Sequence, residues 1–129
     1  MPRHPDLHRA EPALSRPTLR LRMRVTCGAS VALGPGKVAL LETLRQTHSI
    51  NAAAKQLGMS YRRAWQLVDE INASLREPAV VSAVGGSHGG GSQLTAVGEA
   101  VVATYRRIEQ AALAHCARDV ERLLAQFID

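Results

Sequence analysis

Two adjacent arginines, Arg62 and Arg63, stand near the start of a stretch whose pattern is typical of an α-helix. A guanidinium group donates hydrogen bonds in a fork that fits two acceptors at once, on a phosphate or on the edge of a guanine. Ser60, Tyr61 and Gln66 offer a hydroxyl, a phenol and an amide close by, and Ser49 is a further candidate contact residue. Hydrogen-bonding side chains grouped in this way predict a surface that binds a nucleic acid.

The residues around the arginines predict two helices joined by a tight turn. Ser49 can cap a first helix that ends at Gly58 in the left-handed conformation, and Ser60 can cap a second helix. Apolar residues recur in the second helix at three- and four-residue spacing and predict its buried stripe: Ala64, Leu67, Val68, Ile71 and Leu75. The opposite face then carries Arg62, Arg63, Gln66 and Asp69. This pattern favours a helix-turn-helix, whose second helix places its N-terminal residues in the major groove of double-stranded DNA.

Each of these features also has a purely structural interpretation. A helical hairpin with a glycine turn is often only a packing device, and two neighbouring arginines often form a solvated helix face. We expect Tyr61 and Trp65 to be partly buried supports, because a chain with 3% aromatic residues lacks a stacking platform for RNA or single strands. The combination of caps, small alanines at 52–54 and a basic first turn favours DNA binding over the structural interpretation.

A glycine-rich β-hairpin is predicted after the second helix. Pro78 ends the helical pattern, residues 79–84 are β-prone, and residues 92–94 can return as a second strand. We expect the tip between them to approach the DNA backbone, with four candidate contact residues: Gly86, Ser87, His88 and Gly89. The tip lacks the Gly-Lys-Ser/Thr of a nucleotide phosphate loop and the βαβ frame of a dinucleotide site. The hairpin is therefore interpreted as the wing of a winged helix-turn-helix.

The flanking segments predict one further strand and two further helices. Residues 1–17 are interpreted as a flexible arm, and Thr18 to Val25 alternates strictly between apolar residues and Arg20, Arg22 and Arg24, which predicts a half-buried strand. Its arginine face could meet phosphates, but we favour a solvated face. A supporting helix should run from Pro35 to about His48.

The last segment, residues 95–129, reads as one long helix with an apolar stripe along its length: Val97, Val101, Tyr105, Ile108, Ala112, Cys116, Val120, Leu124 and Phe127. A helix of that length would extend roughly 50 Å, more than a small domain can cover. The uncovered stripe predicts a homodimer.

Composition bounds the remaining possibilities. A chain of 129 residues has room for one core, and a net charge of +5 with a pI near 10.0 favours a polyanionic partner. Cys27 and Cys116 are far apart, which indicates neither a zinc site nor a disulfide framework and fits a reduced cytoplasmic setting. No sequence pattern indicates a metal site, a cofactor, an enzyme's catalytic residues, a signal peptide or a membrane span.

The order of these motifs resembles the N-terminal DNA-binding domain of ModE-type molybdate-responsive regulators, which is also LysR-like. The resemblance covers roughly Leu19 to Arg107 and rests on four stretches: 34–37 with Leu40-Leu41, 49–54, 58–65, and 85–91 before Leu94-Thr95. It implies a mainly α fold with a small β-hairpin, in which residues 18–94 form the winged helix-turn-helix and residues 95–129 the dimerisation helix. It also implies a homodimeric transcriptional regulator of molybdenum-related genes that binds a palindromic operator.

The sequence departs from the ModE pattern in two respects. The tip carries Ser87 and His88 where basic residues are common in the family, so we expect weaker phosphate contacts there. The chain ends at Asp129 without the small β-barrel domains that bind molybdate or tungstate, so we expect a regulator that is either constitutive or controlled by a partner protein that supplies the sensing. The alternative function is a small oxyanion-binding or adaptor module that uses the glycine tip and the long helix.

Overall fold

The structure, a computed structural model, describes residues 16–83 and 91–128. Its elements are β1 (Val25–Cys27), β2 (Ser30–Leu33), α1 (Pro35–Thr47), α2 (Ile50–Leu57), α3 (Tyr61–Ser74), β3 (Val80–Ala83), β4 (Gly91–Leu94), α4 (Ala96–His115) and α5 (Ala117–Leu124). The described residues form a mainly helical fold with a small β-hairpin, as the sequence predicted, and with a second two-stranded antiparallel sheet, which it did not predict. The chain divides into two compact units, one of Arg22–Glu109 and one of Met1–Leu21 with Gln110–Asp129.

The predicted supporting helix is confirmed as α1. Pro35 begins it, where the missing N–H of proline costs no hydrogen bond, and His48 ends it in the left-handed conformation at φ 57°. The apolar residues of this helix are fully buried at the centre of the core: Val38, Leu40, Leu41 and Leu44. Full burial of a leucine is worth ~1.5–3 kcal/mol relative to exposure, so α1 is the main packing element of this unit.

The predicted helix–turn–helix is confirmed as α2 and α3. The Ser49 hydroxyl accepts a hydrogen bond from the Ala52 N–H at 3.1 Å, and the Ser60 hydroxyl accepts one from the Arg63 N–H at 3.0 Å. Gly58 ends α2 at φ 71°, a conformation that strains other residues. The predicted stripe of α3 is inside: Ala64, Leu67, Val68 and Ile71 are at most 7% exposed, and Leu75 packs against them.

The predicted wing hairpin is confirmed for its two strands. β3 and β4 pair antiparallel with Val80 opposite Leu94 and Ala83 opposite Gly91. The carbonyl of His48 accepts a hydrogen bond from the Ser92 N–H at 3.0 Å, so the hairpin is attached to the turn that follows α1. The tip, residues 84–90, lies outside the described residues.

The alternating segment before the core is not the strand that the sequence predicted. Burial does alternate from Leu19 to Arg24, but the only ladder here is formed by β1 and β2, which begin at Val25 and turn at Gly28. Alternation needs only an extended backbone, whereas a strand needs a hydrogen-bonded neighbour. The described residues supply no such neighbour for residues 18–24.

The predicted C-terminal helix is divided at Cys116, whose φ of −103° and ψ of 20° separate α4 from α5. α4 is apolar on two sides. Val102 faces the core, whereas Val97, Val101 and Ile108 lie roughly 100° or more away around the helix and line an outward groove. Tyr105 stands between the two sides, is only 5% exposed and also lines that groove. The sequence analysis placed Tyr105 and Ile108 on one stripe and omitted Val102. In α5 no residue is buried.

Candidate nucleic-acid interface

The outward face of α3 is polar. Arg62 and Gln66 lie on the side of the helix opposite the buried stripe, Asp69 lies beside them, and all three are exposed. The Ser60 cap fixes the first turn of the helix, so the backbone that carries Arg62 and Arg63 is ordered. This face can offer guanidinium and amide groups to base edges in a groove, which is the chemistry that the sequence predicted.

One flank of this face is aromatic. Tyr61 and Trp65 lie one helical turn apart and meet edge to face, with ring centroids separated by 6.2 Å. They are 52% and 38% exposed, so both are partly buried, as the sequence analysis expected. Their position on the helix explains this exposure, because both residues lie next to the buried stripe of α3 and not within it.

The other flank is cationic. Arg63 lines a cleft between α3 and the β1–β2 hairpin, together with Arg22, Arg24, Lys37 and Glu70. The Lys37 ammonium is nearly buried, donates a hydrogen bond to the Val31 carbonyl at 2.7 Å and lies 3.2 Å from a Glu70 carboxylate oxygen. Lys37 therefore joins β2 to α3, a role that its isolated position in the sequence gave no reason to predict.

The arginines around α3 form no ion pair with an acidic residue of the described ranges. Among residues 16–83 and 91–128, ion pairs hold Lys37, Arg45, Arg106 and Arg122. The arginines on or beside α3 take part in none of them: Arg22, Arg24, Arg62 and Arg63. Their charges are therefore available to an anionic partner.

The remaining predicted site residues contribute differently. The Ser49 hydroxyl is half-buried and engaged in capping α2, so the structure explains that residue without a DNA contact. Gly86, Ser87, His88 and Gly89 lie outside the described residues.

The sequence analysis missed an asparagine that fastens α3 to the hairpin. The Asn72 side chain accepts hydrogen bonds from the Ala79 N–H at 2.8 Å and the Val80 N–H at 3.2 Å, and donates one to the Val80 carbonyl at 3.0 Å. A polar residue at the edge of an apolar stripe, just before a proline turn, is the signal that could have identified it. The three bonds fix β3 relative to α3.

The loop between α3 and β3 is also held by the start of α4. The Thr95 N–H donates to the Ala79 carbonyl at 2.9 Å, and the Thr95 hydroxyl donates to the Pro78 carbonyl at 2.7 Å. Gly98 lies so near that a Cβ at this position would collide with the Ala79 carbonyl. The hairpin is thus attached firmly at its base.

Ion pairs fasten α4 to α1. The Arg106 guanidinium donates to both carboxylate oxygens of Glu42, at 2.7 and 2.8 Å, and to Glu109 at 2.7 Å. The hydrogen bonds from Arg106 hold the pKa of Glu42 below its ordinary value, and both carboxylates raise that of Arg106. Arg45 and Glu99 form a second, exposed pair at 3.0 Å.

A second surface of the Arg22–Glu109 unit is apolar. The outward side of α4 and the β1–β2 hairpin enclose a shallow groove of about 430 Å³ lined by Val25, Leu33, Val97, Ala100, Val101, Thr104, Tyr105 and Ile108. Val25 and Ile108 are each 53% exposed. In the other unit, Leu123, Phe127 and Ile128 are exposed by 48% to 92%.

Two kinds of feature are absent from the described residues. No helix among them combines the length and the apolar character that a membrane crossing requires. In residues 16–83 and 91–128, no group of three His, Cys, Asp or Glu side chains converges as metal ligands do.

The fold is thus a helical one that carries a small hairpin, and its candidate site is a polar, cationic helix face. In sequence the chain is similar to the molybdenum transport protein ModE of Azotobacter vinelandii, with 42% identity over 88 residues, or 68% of this chain and 33% of that protein. It is 46% identical over 77 residues to the molybdenum-pterin-binding protein MopB of Rhodobacter capsulatus, covering 60% and 28% of the two chains.

A third relative carries a regulatory name. The chain is 34% identical over 76 residues to the DNA-binding transcriptional dual regulator ModE of Escherichia coli K12, which covers 59% of this chain and 29% of that protein. No family model matches the chain. The chain spans about a third of the length of these curated relatives, and the similarity supports a relationship to ModE proteins over that part.

Proposed function

We propose that this protein is a sequence-specific transcriptional regulator that binds double-stranded DNA through a winged helix-turn-helix. The observation that carries the proposal is the outward face of α3, where Arg62 and Gln66 are exposed, in no described ion pair, and set on a capped helix. Asn72 fastens that helix to the hairpin beside it. A rigid base of this kind lets a helix present side chains to a groove in one orientation.

The position of each side chain on α3 suggests its role. Arg62 and Gln66 point away from the core, so they enter the major groove most deeply and read base edges. Ser60 and Tyr61 stand at the N-terminal end of the helix, where a groove-bound helix meets the DNA backbone and the first base pair. The hairpin tip, with Gly86, Ser87, His88 and Gly89, contacts the backbone or the minor groove without reading sequence.

A homodimer completes the proposal. A single helix reads too few base pairs to select a site in a genome, whereas a twofold dimer reads two half-sites of a palindrome. The groove on α4 and the exposed apolar residues near the C-terminus, among them Leu123 and Phe127, are surfaces that a second copy can cover. We infer that α4 from about Thr104, together with α5, packs against its symmetry mate.

The names of the relatives suggest which genes are regulated. Several of the similar proteins are named ModE transcriptional regulators, and others are named for molybdenum transport or molybdenum-pterin binding. By analogy, this chain regulates molybdenum-related genes in the cytoplasm and acts without catalysis. We also propose an effector-sensing protein as a partner for any response to an oxyanion.

The proposal is tested by selection from a random duplex library. The retained duplexes should converge on a palindrome, and titration should give nanomolar affinity for it and at least a thousandfold weaker affinity for a scrambled duplex in the same salt. Binding to both duplexes with equal affinity would contradict a sequence-specific regulator. The absence of any duplex binding would leave the alternative of a small oxyanion-binding or adaptor module.

A further inference from the structure

A basic cleft lies between the β1–β2 hairpin and α3. It encloses about 1150 Å³, and Arg22 and Arg24 line it from one side while Arg63 lines it from the other. The cleft brings together arginines that are about 40 positions apart in the chain. The sequence alone favoured a solvated role for Arg22 and Arg24, because it does not show that the fold brings them near Arg63.

The charge of the cleft is strongly positive. Its lining contains four cationic side chains, of Arg22, Arg24, Lys37 and Arg63, and one carboxylate, that of Glu70. Glu70 lies 3.2 Å from Lys37, and no described ion pair involves the three arginines. Like charges gathered on one concave wall repel one another and attract a polyanion.

The backbone that carries the two hairpin-side arginines is held in place. The Tyr105 hydroxyl donates a hydrogen bond at 2.9 Å to the carbonyl of Met23, which stands between Arg22 and Arg24. Tyr105 is only 5% exposed, and burial raises the pKa of its phenol, so the hydroxyl remains a donor.

The shape of the cleft distinguishes between a chain of phosphates and a single anion. Its volume of about 1150 Å³ exceeds the ~300–1,000 Å³ typical of small-molecule sites. Its wall is also continuous with the outward face of α3, because Arg63 stands directly after Arg62 on the same helical turn. A ligand in the cleft would therefore extend from whatever α3 contacts.

We infer that the cleft binds the sugar–phosphate backbone bordering the groove that α3 enters, with Arg22, Arg24 and Arg63 on phosphates. The inference rests on the proposed function and deepens it, since it assigns Arg63 to the backbone and leaves Arg62 to the bases. Arginine forks suit phosphate oxygens geometrically, and such contacts position a protein on DNA without reading its sequence.

The test is a salt titration of the Arg22→Ala, Arg24→Ala double variant against the selected palindrome and a scrambled duplex. Each phosphate contact contributes about one to the slope of log affinity against log salt, so the slope should fall by about two per bound protomer, or about four for a dimer, on both duplexes. The matched control is the Arg20→Ala, Arg76→Ala double variant, which removes the same charge from exposed residues outside the cleft lining. Its slope should change by less than half as much.

Two further variants probe the cleft from opposite directions. Tyr105→Phe removes only the hydroxyl that positions Met23, so it should lower the salt slope slightly on both duplexes while the base preference stays unchanged. Glu70→Gln removes the one carboxylate of the cleft and should tighten binding to every duplex. Urea unfolding of each variant confirms that it is folded before its DNA binding is compared.

The outcomes separate this inference from the proposed function. If the unmodified chain binds no duplex selectively, the proposed function fails. If it binds the palindrome and the Arg22→Ala, Arg24→Ala variant keeps its salt slope, or changes its preferred base, the inference about the cleft is overturned. The inference would also be overturned if calorimetry shows that the unmodified chain binds inorganic phosphate and that the double variant loses this binding but keeps its affinity for DNA. That result would assign the cleft to a small anion.

Discussion

The polar face of α3 and the apolar groove on α4 are two exposed surfaces of the same unit, and they differ in almost every physical respect. Arg62 and Gln66 on α3 offer charge and hydrogen bonds, whereas Val25 and Ile108 beside α4 offer only apolar area. Water hydrates the first surface well and the second poorly. The contrast teaches that the two surfaces suit different partners: a polyanion for α3 and another protein surface, which we propose is a second copy, for α4.

The largest expected effect comes from charging the apolar groove. Val25→Asp with Ile108→Asp changes two half-exposed side chains, so the monomer should stay folded. Each buried apolar side chain contributes ~1.5–3 kcal/mol, so the dimer should dissociate at least a hundredfold more readily and lose its operator affinity. Light scattering at micromolar concentration measures the first effect, and duplex titration measures the second.

The control for this experiment is Gln46→Asp with Ala103→Asp, which adds the same negative charge at exposed positions outside the groove and before Thr104. A companion variant, Leu124→Asp with Phe127→Asp, tests whether the C-terminal residues share the interface. If the unmodified chain is a monomer in light scattering, the proposed role of the apolar surface is wrong.

The next effect concerns the rigid base of the polar face. Asn72→Ala leaves the N–H groups of Ala79 and Val80 without their partner beside a buried strand, at a cost of ~1–3 kcal/mol each. We expect the free energy of unfolding to fall by roughly 2–4 kcal/mol in urea titration. Asn51→Ala, at an exposed position of α2, is the control and should change stability by less than about 0.5 kcal/mol. Equal stability of the two variants would contradict a stabilising role for the hydrogen bonds of Asn72.

The smallest effect is an acid dependence of the contact between α1 and α4. Since the folded state holds the pKa of Glu42 below its ordinary value of 4.5, the pair stabilises the fold above that pH and the stabilisation disappears as pH falls through the lowered pKa. Glu42→Gln should cost on the order of 1 kcal/mol at pH 7, because solvent screens Arg106, whose side chain is 38% exposed. The destabilisation caused by Glu42→Gln, measured by thermal unfolding, should be smaller at pH 3 than at pH 7.

The matched comparison for that measurement is Glu77→Gln, an exposed glutamate outside the described ion pairs. It should be neutral at both pH values. A Glu42→Gln variant that is as stable as the unmodified chain at pH 7 would count against a stabilising role for the pair with Arg106.

The sequence predicted those features that depend on local chemistry. Each of these features depends on residues that are close together in the sequence, and the structure contains all of them: the caps at Ser49 and Ser60, the turn at Gly58 and the buried stripe of α3. The features it missed join distant residues. Asn72 bonds to a loop beyond the end of its helix, Lys37 connects β2 to α3, and Arg22 meets Arg63 across a cleft.

Periodicity also failed where a helix has two apolar sides. Val101 and Val102 are neighbours in sequence, yet one lines the outward groove and the other is buried in the core. A single stripe drawn at three- and four-residue spacing includes Val101 and leaves out Val102, because adjacent positions on a helix are 100° apart. The alternating segment before β1 shows the same limit for strands, since alternation does not supply a hydrogen-bonded partner.

The central claim is that α3 reads DNA with Arg62, and the most direct measurement is the affinity of Arg62→Ala for the selected palindrome and for every single-base variant of it. We predict a loss of ~1–3 kcal/mol on the palindrome and a relaxed preference at one base pair per half-site, while Arg63→Ala weakens all duplexes evenly. A folded double variant, Arg62→Ala with Arg63→Ala, that binds the palindrome with unchanged affinity and unchanged preference would contradict the claim.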